Sequence, residues 1–323
     1  MLPVRRLALL TALFACSGLF LTACGDEKSS GDPLQDGKSY DRLDAVTISG
    51  DVGSAPEVKW KGAMDAGKIE TETLTEGDGD VVDDGDSVLA QIWIGNGFYK
   101  KQAFSTYEEK KAEILTVGDQ AAEYLAGIKG QKVGTRLAVT ASAKEAFGEA
   151  GYSALGIANK DTVLVIVDLV SKVAAGPDES GTENPAPDWM PKPNFRDGVI
   201  KGFDFTGTPE PTADLRRVQL IQGTGPRVKK GQTIAVRYLG QAFGGDKPFD
   251  ENFGDGTGEP TTFSIGTGAV IKGWDQGLDG VPVGSRVVLE IPPDLGYGAE
   301  GSPDSGIPAN ATLVFMIDIL AAA

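Results

Sequence analysis

Apolar and polar side chains alternate along several short stretches in the C-terminal half of the chain. Residues 234–238 and 313–319 each place apolar side chains on one face, which predicts half-buried strands. Residues 286–291 form a third predicted strand, which a Pro-Pro pair ends. The one convincing helix is short, over residues 272–279. Antiparallel strands around a short helix predict an α+β domain.

The same pattern occurs twice. Residues 127–170 match residues 277–320 at a constant offset, with 11 identities in 44 positions, and six of these identities are glycines. Glycines mark backbone turns that other residues adopt poorly, so shared glycines indicate shared turns. The sequence therefore predicts a duplicated domain. A linker rich in proline, glycine and acidic residues separates the copies at residues 174–192.

The N-terminus has the pattern of an export signal. Arg5 and Arg6 precede an apolar run over residues 7–21, which is short for a membrane span. The run leads into LTAC at residues 21–24, which resembles the signal-peptidase box of bacterial lipoproteins. The resemblance implies that the sulfur of Cys24 is diacylglycerylated and that cleavage leaves Cys24 as the first residue. The alternative is an ordinary secretory signal with an incidental cysteine.

Five segments follow from these features. They are a lipoprotein signal peptide at 1–23, a flexible tether at 24–44, a first domain at 45–173, a linker at 174–192 and a second domain at 193–323. The predicted location is the extracytoplasmic face of the cell membrane, held by the lipid anchor.

Composition removes several classes of function. The chain has no histidine, which excludes Ser-His-Asp and Cys-His catalysis and His-ligated zinc. A net charge of −16, with the basic residues scattered, argues against a nucleic-acid partner. The acidic turn at residues 78–86 lacks the order of an EF-hand loop, so no metal site is predicted. The only other cysteine, Cys16, lies in the signal peptide, so a mature chain could form no internal disulfide.

Four motifs in the second copy share a specific resemblance. They are VIKGWDQGL at 270–278, VGSR at 283–286, GYG at 296–298 and IPANATLVF at 307–315. In this order and spacing they resemble FKBP-type peptidyl-prolyl cis-trans isomerases, over nearly the whole second copy. The resemblance implies a curved antiparallel sheet wrapped on a short helix, with a hydrophobic pocket between them. With the duplication, it implies two tandem FKBP-like domains of the α+β class.

The resemblance also implies roles for the pocket residues. Trp274 would be the floor on which a substrate proline lies, while Tyr297 and the Ile271 backbone amide would bond substrate carbonyls. Asp250 would hold the surrounding hydroxyl network. The implied catalytic residues are Tyr238, Asp250 and Tyr297, and the implied substrate-binding residues are Phe249, Phe263, Val270, Ile271, Trp274, Ile307 and Phe315.

The reaction explains why an apolar pocket suffices. Rotation about an X–Pro bond loses amide resonance, with a barrier of about 18–20 kcal/mol. The planar amide is more polar than the twisted transition state, so a dry aromatic site disfavours the ground state more. No nucleophile, metal or cofactor is needed. The expected partners are proline-containing peptides and unfolded exported proteins, and macrolide inhibitors are candidate ligands.

Some positions depart from the family pattern. The loop between Asp250 and Phe263 is about two residues longer than in small family members, and Thr261 stands where an aromatic residue is often found. The segment 302–306, over the pocket, is also one residue longer than the corresponding segment of small family members. These departures bear on peptide preference and macrolide affinity rather than on the reaction.

The first copy lacks most of the pocket side chains. The aligned positions are Phe147 for Tyr297, Ser105 for Asp250, Tyr124 for Trp274, Val165 for Phe315, and either Ile92 or Trp93 for Tyr238. Phe104 and Ile157 remain. We expect a first domain that keeps the fold and is weakly active or inactive.

Two functions of different class fit the sequence. One is a surface-tethered prolyl isomerase that helps exported proteins to fold. The other is a lipoprotein that holds unfolded or proline-containing segments without catalysis. The presence of Tyr238, Asp250, Trp274 and Tyr297 in one copy favours the enzyme.

Overall fold

The computed structural model describes residues 38–118, 123–256 and 258–323. The predicted signal peptide, Cys24 and most of the predicted tether lie outside the described residues. No helix in the described ranges is both long and apolar enough to cross a membrane.

The described residues of the first half of the chain, up to residue 173, form ten strands. Four short strands come first: β1 (Ser39–Asp41), β2 (Val46–Ser49), β3 (Glu57–Trp60) and β4 (Ala63–Asp65). Six strands then form one sheet: β5 (Glu70–Thr75), β6 (Ser87–Asn96), β7 (Lys101–Ser105), β8 (Glu113–Thr116), β9 (Arg136–Ser142) and β10 (Thr162–Lys172). The order in this sheet is β5-β9-β10-β6-β7, and β8 also pairs with β6.

The second half, from residue 174 onward, has nine strands among its described residues. They are β11 (Thr182–Glu183), β12 (Lys192–Arg196), β13 (Val199–Asp204), β14 (Arg216–Gln222), β15 (Thr233–Ala242), β16 (Asp250–Glu251), β17 (Thr261–Ser264), β18 (Arg286–Ile291) and β19 (Leu313–Ala322). All except the β12–β13 hairpin form one sheet in the order β11-β14-β18-β19-β15-β16, and β17 also pairs with β15.

Helices are few and short. The α-helices are α1 (Thr106–Glu109), α2 (Ala143–Phe147) and α3 (Lys272–Gly277), and single 3-10 turns occupy Arg42–Ala45, Glu123–Ile128, Ser153–Leu155, Pro293–Leu295 and Pro303–Ser305. The helix predicted over 272–279 is therefore α3, and it ends two residues earlier than predicted.

The two large sheets have the same topology. The five strands on the path of the first sheet correspond in order to five of the second, β5 to β14, β9 to β18, β10 to β19, β6 to β15 and β7 to β16; β8 and β17 occupy equivalent edge positions, and β11 is additional in the second sheet. The register agrees as well, because Arg136 pairs with Asp168 as Arg286 pairs with Asp318. The predicted α+β architecture in two tandem copies is confirmed.

Each sheet is covered on both faces. One face of each packs into an inner core, and alternate residues face outward. In the first half the outward residues, such as Trp93 and Ile166, pack under β1–β4. In the second half Val314 and Met316 pack under the β12–β13 hairpin, together with Met190.

Two of the segments that cover the outer faces of the sheets were predicted from the sequence to be a tether and a linker. Residues 39–44, predicted as the end of a flexible tether, form β1 and most of a 3-10 turn, and β1 pairs in parallel with β4. Within the predicted linker, β11 joins the second sheet and Met190 is buried. Both segments are ordered because they bury apolar outer faces of the sheets, which the local composition did not indicate.

A buried ion pair holds the cover of the first half. The Asp168 carboxylate accepts bonds from Arg136 Nε and Nη2 at 2.6 and 2.7 Å, from the Tyr107 hydroxyl at 2.5 Å and from Gly53 N at 2.6 Å. Arg136 also donates to the carbonyls of Gly50, Asp51 and Ser54 in the β2–β3 loop. Burial and the bond to Asp168 raise the pKa of the Tyr107 phenol above its ordinary value.

Candidate active site

Five aromatic side chains of the second half come from separate elements and meet above α3. Trp274 lies on α3, Tyr238 on β15, Phe263 on β17 and Phe315 on β19, while Phe249 directly precedes β16. The strand residues share the inner face because the sequence places them at alternate positions in their strands. The curvature of the sheet then brings them over the helix.

Trp274 is the centre of this group. Its ring centroid lies 5.1 Å from that of Phe263, 5.3 Å from that of Phe315 and 5.4 Å from that of Tyr238, with near-perpendicular ring planes. Phe249 adds a contact to Phe315 at 5.6 Å. Edge-to-face aromatic pairs are each worth about 0.5–1.5 kcal/mol beyond their buried area. The rings therefore form a rigid apolar wall.

Gly240 allows two of these rings to pack against β15. A Cβ atom at this position would lie 2.5 Å from a carbon of the Phe315 ring and 2.7 Å from a carbon of the Phe249 ring. Any larger residue would displace both phenyl groups. Glycine is thus required here by close packing rather than by backbone conformation.

A hydrogen bond between the partly buried Tyr238 and the exposed Asp250 supplies the polar edge of the site. The Tyr238 hydroxyl donates to Asp250 Oδ2 at 2.6 Å. Burial and this bond raise the pKa of the Tyr238 phenol above its ordinary value, and the charge of Glu251 adds to the shift. The phenol therefore stays protonated and orients the carboxylate. Tyr297 lies at the mouth with 42% of its surface exposed.

These side chains enclose a cavity of about 390 Å³. Its lining includes nine of the ten residues implied by the resemblance: Tyr238, Phe249, Asp250, Phe263, Val270, Ile271, Trp274, Tyr297 and Phe315. Ile307 does not line it. That residue is 1% exposed and belongs to the core against which the pocket side chains pack. Ile307 therefore packs in the core behind the lining side chains, and a role in substrate binding stays a prediction.

The indole nitrogen of Trp274 has no hydrogen-bond partner among the described residues, although the side chain is 4% exposed. A buried donor without a partner costs about 1–3 kcal/mol. Such an unpaired group is uncommon in folded proteins and is frequent at functional sites.

Two positioning residues were not predicted from the sequence. Asn252 accepts a bond from Tyr238 N at 2.6 Å and donates to Val236 O at 3.1 Å, which fixes the segment after Asp250 against β15. Asp275 on α3 accepts bonds from Gly266 N and Gly268 N, which holds the loop before Val270. Both are short polar residues beside glycine-rich loops, which is a common signal for loop-capping side chains.

The register of β6 decides the alternative left open for Tyr238. Ile92 pairs with Val167 as Tyr238 pairs with Ile317, and Trp93 points to the outer core. Ile92 is therefore the equivalent residue. Neither it nor its neighbours offer a phenol on the inner face.

The same ladders correct one aligned position. Phe104 lies opposite Ile94 as Asp250 lies opposite Gly240, so Phe104 rather than Ser105 occupies the position of Asp250. A bulge in the β6–β7 pairing causes the one-residue shift. Tyr124, aligned with Trp274, has a side chain outside the described part of the structure. The first half thus has no carboxylate at the position of Asp250.

A larger groove of about 540 Å³ lies elsewhere, between residues 175–183 and the second sheet. Its lining includes Asp178, Glu179, Glu183 and Arg286 and contains no aromatic side chain. Its acidic, open surface does not suit an apolar proline ring, so the aromatic cavity is the better candidate site.

Comparison with known proteins agrees with this geometry. The family model described as FKBP-type peptidyl-prolyl cis-trans isomerase matches residues 225–320. The FK506-binding protein of Streptomyces anulatus is 43% identical over 118 residues, which cover 36% of this chain and 93% of that protein. FK506-binding protein 4 of Gibberella zeae is 40% identical over 154 residues, covering 48% of this chain and 28% of that protein.

Among solved structures, the crystal structure of AtFKBP13 is 40% identical, with a TM-score of 0.30, and the match covers 34% of this chain and 93% of that one. The match to the family model, residues 225–320, falls on the half of the chain that carries the aromatic cavity. The chain belongs to the family of FKBP-type peptidyl-prolyl cis-trans isomerases.

Proposed function

We propose that the aromatic cavity of the second half catalyses cis–trans rotation about X–Pro bonds in proteins exported across the cytoplasmic membrane. The observation that carries this proposal is the set of five aromatic rings that surrounds one cavity, with the Tyr238–Asp250 hydrogen bond at its edge. Membership of the isomerase family supports the reaction. The LTAC sequence before the first domain supports the location.

The cavity suits this reaction in size and polarity. Ligand pockets of about 300–1,000 Å³ are typical for small ligands, so 390 Å³ admits a proline ring and its neighbours. A proline that lies on Trp274 leaves water, and its amide loses the solvation that stabilises the planar, charge-separated form. The twisted transition state loses less, so the barrier falls.

The polar groups at the mouth orient the peptide. The exposed Tyr297 hydroxyl is free to donate to a substrate carbonyl, and Ile271, the N-cap of α3, places its backbone at the opposite lip. The Asp250 carboxylate, fixed by Tyr238, contributes a negative field at the edge of the cavity in which the amide would twist. No group in this scheme transfers a proton.

Exchange spectroscopy on a proline tetrapeptide tests the proposed activity. Uncatalysed exchange takes tens to hundreds of seconds at 25 °C. Substoichiometric chain should bring cis and trans signals into exchange within about a second or less, a gain of at least about tenfold that corresponds to 1.4 kcal/mol. Peptide binding without any faster exchange would contradict catalysis and favour the holding function.

Activity should not depend on pH across the neutral range. The chain has no histidine, and the raised pKa of Tyr238 keeps its phenol protonated well above neutral pH. We therefore expect kcat/KM to change less than about twofold between about pH 6 and pH 9. A bell-shaped profile with a midpoint near pH 7 would contradict a mechanism without proton transfer.

The location depends on Cys24. The Cys24→Ala variant should remain unprocessed or be released from the membrane fraction, because no thiol remains in the LTAC sequence to receive the lipid. Metabolic labelling with a fatty-acid analogue, followed by fractionation, measures this. Normal cleavage with unchanged membrane retention in the variant would contradict the anchor. The Cys16→Ala variant is the matched control and should incorporate the fatty-acid label to the same extent as the chain with the natural sequence.

A further inference from the structure

The two halves of the chain share a small buried interface next to the cavity. Leu89, Ala112 and Val173 of the first half form one apolar cluster with Ala235, Leu320 and Ala321 of the second. Four of the six are alanines or lie at strand ends, so the backbones approach closely. Ala174 N also donates to Leu320 O at 3.1 Å.

Two hydroxyl side chains of the second half bond the backbone of the first across this interface. Ala112 N donates to Thr233 Oγ1 at 2.9 Å, and the Ser264 hydroxyl donates to Lys110 O at 2.6 Å. Thr233 is 2% exposed and Ser264 is 9% exposed. Thr233 and Ser264 lie directly opposite each other in the β15–β17 ladder. Residues 110–112 therefore bond both strands of the β15–β17 ladder at one end of that ladder.

The first half provides a built-in comparison. Ser87 and Thr116 lie opposite each other at the equivalent place in the β6–β8 ladder. There the two hydroxyl groups bond each other at 2.7 Å, and Thr116 is exposed. At this ladder position the two hydroxyl groups of the first half therefore bond each other, whereas those of the second half bond the backbone of the first half.

The β15–β17 ladder carries a wall of the cavity. Phe263 precedes Ser264, lies opposite Ile234 and contacts both Trp274 and Tyr238 at centroid distances of 5.1 and 5.7 Å. Strand β17 is four residues long and lies off the main path of the sheet, paired with β15 alone. A short edge strand of this kind has few bonds of its own to fix it.

We propose that Thr233 and Ser264 are positioning residues through which residues 110–112 of the first half hold β17 and the Phe263 wall in place. The first half then has a role in catalysis without an active pocket of its own. This inference rests on the proposed isomerase function. Arg237 ties the linker to the loop before β17, because its Nη1 donates to Ala175 O and its Nε donates to Gly258 O.

Kinetics of the full chain with Thr233→Val and Ser264→Ala test the proposal. A displaced wall weakens contacts made in both ground and transition states, which raises KM more than it lowers kcat. We expect kcat/KM to fall about threefold to tenfold in the double variant, because small misplacements near a reacting group are costly. Ser264→Thr keeps the hydroxyl and should restore most of the loss from Ser264→Ala.

A variant in the first half separates coupling from a local effect. Ala112 is 0% exposed at the interface, so Ala112→Leu should force the halves apart without changing any residue of the second half. It should raise KM as the double variant does. Thr116→Val is the matched control, because its hydroxyl bonds only within the first-half ladder pair, and it should leave KM within about twofold.

The outcomes are distinguishable. An inactive unmodified chain would contradict the proposed function itself. An active chain whose KM is unchanged in the double variant and in Ala112→Leu would overturn the positioning role, even if thermal unfolding showed lower stability. A KM rise in both variants, with rescue by Ser264→Thr, would support it.

Discussion

A chain that carries both Asp250→Val and Trp274→Ala is expected to lose at least about 99% of its kcat/KM for X–Pro isomerisation. Trp274 contacts Tyr238, Phe263 and Phe315, so its truncation opens the floor of the cavity to water. Asp250→Val also removes the acceptor of the Tyr238 hydroxyl. Loss of a bond to a charged group costs about 1.5–3 kcal/mol, and a hundredfold loss needs about 2.7 kcal/mol in total.

Single variants keep this prediction testable if the double variant folds poorly. Truncation of a buried tryptophan costs about 3–5 kcal/mol of stability, whereas Asp250 is exposed and its replacement leaves the core intact. Asp250→Val alone should lose about tenfold in kcat/KM, and Tyr297→Phe less, because the apolar walls remain. Phe104→Val, at the position of Asp250 in the first half, is the control: it lowers the stability of the first core, against which Phe104 packs, but should leave kcat/KM within about twofold. A chain that kept more than a tenth of its activity in the folded double variant would contradict the assignment.

Asp168→Ala should destabilise the first half by about 3–5 kcal/mol, because it leaves a buried guanidinium without its partner. Arg136 is 2% exposed, and Asp168 is fully buried with four donors around its carboxylate. Its loss also frees the β2–β3 loop that covers the outer face. Denaturant unfolding of the full chain measures the effect, and two transitions are expected because the chain has two cores.

The second half contains the matched control for this stability prediction. Arg286 and Asp318 form the same pair, but 19% of the Arg286 side chain is exposed and its face stacks 5.7 Å from the Phe195 ring. Asp318→Ala should therefore shift only the second-half transition, and by less, since Arg286 can reach water. The buried-pair account would be contradicted if Asp168→Ala left the first-half transition unchanged. It would also be contradicted if Asp318→Ala lowered the stability of the second half as much as Asp168→Ala lowers that of the first.

Much of the second half could be predicted from the sequence because its signals are local. Alternation placed Tyr238 and Phe315 on inner faces, and the fixed order of motifs brought nine of ten proposed residues to one cavity. Ile307 belongs to the core beside the cavity, and an apolar residue that lines a pocket has the same sequence pattern as one that packs behind it. The positions of Asn252 and Asp275 depend on loop conformation, which no periodicity reports.

The segments that cover the outer faces and the contact between the halves could not be predicted. Residues 39–44 and 182–190 are short, polar in composition and unremarkable in pattern, yet they are ordered by apolar surfaces far away in sequence. The hydroxyl groups of Thr233 and Ser264 find partners more than 120 residues away along the chain. Such contacts follow from tertiary packing, and a single local pattern does not encode them.

The central claim is that X–Pro rotation takes place on Trp274, and its indole N–H signal is the most direct probe. This nitrogen is buried with no partner in the described part of the chain, whereas the indole of Trp93 donates to Gln102 at 2.6 Å in the first half. Two-dimensional NMR of the full chain titrated with a proline tetrapeptide resolves these signals, and Trp274→Phe assigns the one of interest. We predict a saturable shift of the Trp274 signal, with half-saturation at the KM of the catalysed exchange, and no shift of the Trp93 signal. A Trp274 signal that stays fixed while exchange is accelerated would contradict the account.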